Sequence, residues 1–130
     1  MNVREDCKHR GRFKKDCCEV LWNGVIIEHD GCVVSNETGC DIVAYDEHKV
    51  FFIEIKGGRI SSEDSTKIVE QIKACENYYN AFIGHREKRK IFLHCSNGKK
   101  KRVDSYAREK LKQARIEYYP CHSVFNLNGL

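Results

Sequence analysis

Two short segments of the chain place charged side chains beside strongly apolar ones. Asp41 precedes the apolar run 42–45, and Glu54 and Lys56 lie near the end of the apolar run 50–56. Because side chains alternate along a strand, Glu54 and Lys56 share one face with Phe52. Burying a charged group without a partner costs free energy, so these positions indicate a chemical role.

The three side chains together suit metal-assisted hydrolysis of a phosphodiester. If the two apolar runs pair as neighbouring strands, the carboxylates of Asp41 and Glu54 come close together and repel each other unless a cation lies between them. Oxygen ligands with open positions favour Mg²⁺ or Mn²⁺. Such an ion can hold a phosphate oxygen, lower the pKa of a bound water and neutralise charge in the transition state. Lys56 would orient that water or stabilise the same charge.

The apolar periodicity predicts the elements that must position these residues. Helices are expected over residues 13–23, from Ser61 or Ser62 onward, and over 104–114, with a capping box between Ser61 and Asp64. Strands are expected over 25–27, 42–45, 50–56, 90–95 and 116–119. This order, α-β-β-β-α-β-α-β, predicts an α/β protein in which helices flank a mixed central sheet of about five strands. No linker is evident, so residues 1–130 are expected to form a single domain.

The combination of Asp41 with Glu54-Ile55-Lys56 resembles the signature of the PD-(D/E)xK nuclease superfamily, an acidic residue on one strand followed by E-x-K on the next. The resemblance implies that Asp41 and Glu54 bind the metal, with the Ile55 carbonyl as a third ligand, and that Lys56 positions the attacking water. It also implies a restriction-endonuclease-like α/β/α core, which the predicted elements match over about residues 13 to 95. Cys40 stands where the family often has proline, a residue that shapes the turn but does no chemistry.

Two further catalytic residues follow from the resemblance. Many relatives carry an acid on the first helix; Asp16 is nearest to the apolar face of the predicted helix and is preferred, with Glu28 and Glu37 as alternatives. The archaeal Holliday-junction resolvase and RecB-like branches place a polar residue, often glutamine, on the helix after E-x-K. Gln71 is the matching residue. RecB-like members usually have a tyrosine about one turn later, whereas here Tyr78 comes two turns later, so the similarity to that branch is weaker.

Basic residues occur in clusters, and the chain has a net charge of +4. Phosphate binding requires such clusters and makes binding depend on salt. The alternative is a solvated surface, because 19 acidic residues are interspersed. The expected partner is duplex or branched DNA, and a homodimer is expected because resolvases cut two strands symmetrically. The residues predicted to contact nucleic acid are Lys14, Lys15, Arg59, Lys99, Lys100, Lys101 and Arg102.

Eight cysteines leave their chemical state open between free thiols, disulfides and zinc ligands. The segment Cys7-Lys8-His9 with the Cys17-Cys18 pair could bind zinc. The cysteines that resemble small core residues are Cys32, Cys40, Cys75 and Cys95. No apolar stretch reaches 18 residues, so no membrane-spanning segment is expected. Residues 1–12 lack the apolar region of a secretory signal, which predicts a cytoplasmic location.

The sequence therefore predicts a magnesium-dependent endonuclease that acts on DNA, nearest in appearance to small junction resolvases. A restriction- or repair-type nuclease on the same fold is one alternative. A non-catalytic nucleic-acid-binding domain that kept the fold is the other.

Overall fold

The computed structural model describes residues 2–95 and 102–130. Within these ranges the chain forms a sheet of seven strands together with three α-helices. The strands are Lys8–Lys15 (β1), Cys18–Glu28 (β2), Ile42–Tyr45 (β3), Lys49–Gly57 (β4), Glu87–Cys95 (β5), Glu117–Cys121 (β6) and Val124–Asn126 (β7). The helices are Ser62–Tyr78 (α1), Asn80–Ile83 (α2) and Ser105–Gln113 (α3). None of these helices is long and apolar enough to cross a membrane.

The sheet combines antiparallel and parallel pairing. Its strands follow the order β1-β2-β3-β4-β5-β6, and β7 pairs with β2. Pairing is antiparallel from β1 to β4 and parallel from β4 to β6. The predicted α/β class and mixed sheet are therefore confirmed, although the sheet has seven strands and not about five.

The helix predicted over residues 13–23 is wrong. These residues belong to an antiparallel hairpin of β1 and β2, and Asp16 and Cys17 form the connection. The spacing of Phe13 and Val20 fits a helix, but Cys18, Val20 and Trp22 are also buried at every second position, which is the period of a strand. A short 3₁₀ helix, Glu5–Cys7, begins the observed order, and four strands then precede the first α-helix, in place of the predicted helix followed by three strands.

Among the residues that the structure describes, helices pack against one face of the sheet only, which corrects the predicted α/β/α arrangement. On the helical face, Phe52 and Phe92 belong to one core with Ile68 of α1 and Leu111 of α3. On the other face, a second core contains no residue of a helix. Its members outside the central strands come from the β1–β2 hairpin and the C-terminal segment: Phe13, Cys17, Cys18, Val20, Trp22, Phe125, Leu127 and Leu130.

A bulge in β2 accompanies this coverage of the second face. Asn23 and Gly24 are two extra residues of β2 that have no partner in β1, and bulges of this kind bend and twist a strand. A Cβ atom on Gly24 would lie 2.3 Å from the carbonyl oxygen of Tyr45, so the position requires glycine. After the bulge, β2 pairs with β3 as well as with β1; before it, β2 pairs with β1 and β7 and contributes side chains to the second core.

All eight cysteines are paired in disulfides, which excludes the free-thiol and zinc-ligand alternatives for this structure. The sequence left this state open, and the pairing joins distant elements. Two of the bonds tie the tip of the β1–β2 hairpin to the ends of β5 and β6. The pairs are Cys7–Cys32, Cys17–Cys95, Cys18–Cys121 and Cys40–Cys75.

Candidate metal-binding and catalytic site

The Asp41 and Glu54 carboxyl groups are neighbours at the point where β3 begins beside β4. The pairing of Ile42 with Ile53 sets this position. The Asp41 N–H lies 3.1 Å from the Ile53 carbonyl and 3.1 Å from Glu54 Oε1. In return, the Ile55 N–H donates a 2.8 Å hydrogen bond to Asp41 Oδ2. The proximity predicted for the two carboxyl groups is therefore observed.

Both carboxyl groups are buried, and burial raises the pKa of each. Asp41 is 7% exposed and Glu54 is 3% exposed. Burial, and then the neighbouring charge of Asp41, raise the pKa of Glu54 to about 9. Burial also raises the pKa of Asp41, although the Ile55 N–H and the Lys15 ammonium act in the opposite direction. At neutral pH the pair therefore retains a proton when no cation is present.

The Ile55 carbonyl lies on the same edge of β4 as these carboxyl groups. In a β-strand the N–H and the carbonyl of one residue point to the same side, and the Ile55 N–H points to Asp41. Pairing between β3 and β4 ends at Ile42 and Ile53, so β3 provides no strand partner for Ile55. The edge thus presents two carboxylates and a carbonyl, an oxygen set that fits Mg²⁺ or Mn²⁺.

No third acidic residue, histidine or cysteine completes this set at close range in the described ranges. The group found there with mutually close ligand atoms is Asp6, Cys7 and Cys32. Two of its members are bonded to each other in a disulfide, so it is no metal site. A cation at Asp41 and Glu54 would therefore take its remaining ligands from water and substrate, as Mg²⁺ commonly does.

Two lysines lie near the carboxyl pair. Lys56 follows Glu54 on the same face of β4, and its charge lowers the pKa of Glu54 against the effect of burial. Lys15 Nζ lies 3.8 Å from Asp41 Oδ1. Lys15 was predicted for nucleic-acid contact, and its place beside Asp41 could not be anticipated because the hairpin that carries it was read as a helix.

Gln71 lies on α1, one helical turn before Cys75. The disulfide from Cys75 to Cys40 brings this part of α1 to the residue that precedes Asp41. Gln71 lines a cavity of about 340 Å³ together with Gly39. Its Oε1 atom is buried and has no hydrogen-bond partner among the described residues. The predicted polar residue of the helix therefore lies beside the loop that leads into the carboxyl pair.

The first helix that was expected to present Asp16 to the site is absent. That residue is exposed in the β1–β2 connection, with a φ of 52°, because the helix itself is absent. Of the alternatives, Glu28 lies 3.4 Å from His9, whereas Glu37 lines the cavity that contains Gln71. Asp30 lines the same cavity, and its charge raises the pKa of Asp41. Asp30 is not among the predicted site residues because Asp30-Gly31 is typical of a turn.

The residues predicted to contact nucleic acid are distributed over several surfaces. Lys14 is exposed on β1, on the same face as Arg10 and Arg12. Arg59 makes two hydrogen bonds to the carboxylate of Asp104, at 2.9 and 3.2 Å. Arg102 is exposed beside the start of α3. The other three predicted residues, Lys99, Lys100 and Lys101, lie outside the described residues.

No model of a protein family, no curated protein and no solved structure matches this chain. The resemblance to PD-(D/E)xK nucleases therefore depends on Asp41, Glu54 and Lys56 and on the strands that carry them.

Proposed function

We propose that this protein is a metal-dependent nuclease that hydrolyses phosphodiester bonds of DNA. The observation that carries the proposal is the buried pair of Asp41 and Glu54 at the edge of β4 beyond its pairing with β3, where both carboxyl groups can ionise together only if a cation lies between them. Removing two carboxyl groups from water costs free energy that their mutual contact cannot offset. A divalent cation between them would offset it, which gives a functional reason for the arrangement.

Each residue of the site has a separate role in the proposed reaction. Asp41, Glu54 and the Ile55 carbonyl would hold the cation, Mg²⁺ or Mn²⁺. When bound, that cation would neutralise charge on the scissile phosphate and make water a stronger nucleophile at neutral pH. Lys56, on the same face as Glu54, would orient the attacking water or stabilise the developing charge. Gln71 would contact a water or a substrate group from the cavity that it lines beside Gly39.

The proposed substrate is DNA, either duplex or branched. The exposed strip of Arg10, Arg12 and Lys14 on β1 offers positive charge to a phosphate backbone. None of these three side chains forms an ion pair within the part of the chain that the structure describes. Symmetric cutting of a four-way junction would require a homodimer; a restriction- or repair-type nuclease is the alternative on the same site.

One observation favours a second function, that of a non-catalytic nucleic-acid-binding domain. The ammonium group of Lys15 lies 3.8 Å from Asp41 Oδ1 and partly neutralises the pair. A site that holds no metal would need such a counter-charge. The two functions differ in whether a divalent cation binds at Asp41 and Glu54.

Four disulfides also bear on the cellular location. Disulfides persist in oxidising compartments and inside hyperthermophilic cells, and they are rare in other cytosols. We therefore propose a cytoplasmic location only if the protein comes from a hyperthermophile. In any other cell, the proposed location is an oxidising compartment.

A cleavage assay on four-way junctions, duplexes and single strands tests the function. We expect Mg²⁺- or Mn²⁺-dependent cutting that EDTA stops. Asp41→Asn and Glu54→Gln, which conserve shape, should each abolish cutting while DNA binding persists. Glu63→Gln removes an exposed carboxylate of α1 and serves as the matched control. Cutting by both site variants at the parental rate would contradict the site, and DNA binding without cutting or cation binding in the parent would favour the non-catalytic domain.

A further inference from the structure

A second cavity, of about 430 Å³, opens beside the start of α3. Its lining includes Arg102, Tyr106 and Arg108, which the carboxyl pair does not use. Cavities that hold small ligands have volumes of about 300 to 1,000 Å³, so this one is large enough for a nucleotide.

The cavity lies at the end of β4 that carries the candidate catalytic residues. Ile60, four residues after Lys56, donates its N–H to the Arg102 carbonyl at 3.1 Å. The Asp104 N–H donates in turn to the Ile60 carbonyl at 2.9 Å. These two hydrogen bonds hold the wall that contains Arg102 against the segment that continues β4. The cavity therefore adjoins the segment that follows Glu54 and Lys56 in the chain.

The cavity has an excess of positive charge. Arg59 and Asp104 neutralise each other through two hydrogen bonds. Arg102 and Arg108 are both exposed, and neither forms an ion pair among residues 2–95 and 102–130. The guanidinium of Arg108 lies 5.5 Å from the centre of the Tyr118 ring, which restrains its position. Two guanidinium groups are thus available for an anion.

An aromatic ring stands at the same cavity and is unusually exposed. Tyr106 is 78% exposed, more than any other large apolar side chain that the structure describes. A ring in water offers a face on which a flat group can stack. Proteins that hold unpaired nucleotides combine stacking on such rings with arginines that contact the phosphate backbone.

We propose that this cavity binds an unpaired nucleotide of the substrate, with the base stacked on Tyr106 and the phosphate held by Arg102 and Arg108. The proposal rests on the proposed nuclease function and narrows it to substrates with unpaired bases near the cut, such as single strands and branched DNA. In a continuous duplex, the bases are stacked on one another and leave Tyr106 without a partner.

Binding in EDTA tests the proposal without cleavage. Fluorescence anisotropy would compare a labelled single-stranded oligonucleotide with a duplex of the same sequence. Tyr106→Ala should weaken single-strand binding about five- to a hundredfold and leave duplex binding nearly unchanged. Tyr106→Phe should retain most of the affinity, because stacking needs the ring and not the hydroxyl. Tyr78→Ala, which removes another exposed tyrosine at 55% exposure, should have no effect.

The arginines are tested in the same way. Arg102→Gln and Arg108→Gln should weaken single-strand binding and reduce its salt dependence, whereas Lys112→Gln on α3 is the charge-matched control. Equal losses on duplex and single strand, or no loss in Tyr106→Ala, would overturn the base-binding cavity. A protein that binds through Tyr106 and never cuts would contradict only the nuclease function, so the two failures remain distinct.

Discussion

The Ile55 N–H and Asp41 Oδ2 are joined by a 2.8 Å hydrogen bond, and the Asp41 N–H reaches Glu54 Oε1 at 3.1 Å. Each carboxyl group is therefore fixed through one oxygen by the backbone of the other strand. Of the second oxygens, Asp41 Oδ1 lies 3.8 Å from Lys15 Nζ, so a cation that bound Oδ1 and Glu54 Oε2 would take the place of this lysine contact. Such fixed ligands need little reorganisation when an ion binds, which is the usual requirement of a preorganised site.

The raised pKa of Glu54 predicts how stability depends on pH. Its folded-state pKa of about 9 lies above the ordinary value of 4.5. Between these pH values the folded protein holds a proton that the unfolded chain has lost. The metal-free protein should therefore lose stability as the pH rises from about 5 to 9. Thermal unfolding in EDTA at several pH values would measure this decrease.

Glu54→Gln should remove most of that pH dependence, because the amide cannot ionise, and Glu63→Gln should retain the parental profile. Since a cation binds the ionised form, Mg²⁺ affinity should increase with pH over the same range, by up to about tenfold per pH unit. Calorimetry in buffers of different ionisation enthalpy would detect the released proton. Unchanged profiles in Glu54→Gln would show that the carboxyl group is not the titrating residue.

Lys56 is predicted to act on the reaction and not on cation binding. Lys56→Met should lower the cleavage rate about a hundredfold or more. Cation affinity should stay the same or increase, since a nearby positive charge is removed. Single-turnover cleavage and calorimetric titration with Mn²⁺ would separate the two effects. Lys73→Met, at an exposed position of α1, is the control. Loss of cation binding in Lys56→Met would instead assign the lysine a structural role.

The basic strip on β1 predicts the salt dependence of DNA binding. A variant with Arg10, Arg12 and Lys14 all changed to Gln should bind duplex more weakly. If all three contact phosphates, the slope of log K against log salt should become less negative by about 2.7.

The charge-matched control for the strip changes Lys73, Lys112 and Arg115 to Gln, which are exposed on or next to the helices. It should retain the parental slope. Basic residues also protect edge strands from pairing with other chains. A strip variant that self-associates while binding DNA with the parental slope would identify that protective role and contradict the DNA contact.

Replacement of Gln71 should lower the cleavage activity without lowering the free energy of unfolding. Its buried Oε1 has no partner among the described residues, and an unsatisfied buried polar atom destabilises the folded state. Gln71→Met should therefore leave the free energy of unfolding unchanged or increase it by up to about 1 kcal/mol. Cleavage should nevertheless decrease. Chemical denaturation and the cleavage assay would measure both quantities; a large loss of stability would show that the amide supports the fold and not the substrate.

The elements around the carboxyl pair could be predicted because their sequence patterns are strong. β3 was predicted with its observed bounds, and β4 was predicted to within a residue at each end. The capping box of Ser61 and Asp64 is present at the start of α1. Alternation then placed Glu54 and Lys56 on one face, and the adjacent strand placed Asp41 beside them.

The β1–β2 hairpin could not be predicted from its sequence pattern. β1 is an edge strand whose exposed positions are basic, so it lacks the apolar alternation that identifies a buried strand. The positions of Lys15 and Asp16 depend on that hairpin and were therefore missed. Disulfide pairing was also beyond the sequence, since eight cysteines allow about a hundred pairings. The closeness of Asp30 to Asp41 arises from a loop, where no periodicity applies.

The bond between Cys40 and Cys75 gives the site a mechanical property. It fixes the residue before Asp41 to the helical turn that follows Gln71, with their Cα atoms 5.8 Å apart. The carboxyl group of Asp41 and the amide of Gln71 must consequently move together. A substrate that displaced α1 would displace Asp41 as well. Binding in the cavity beside Gln71 would therefore change the affinity for a cation at Asp41.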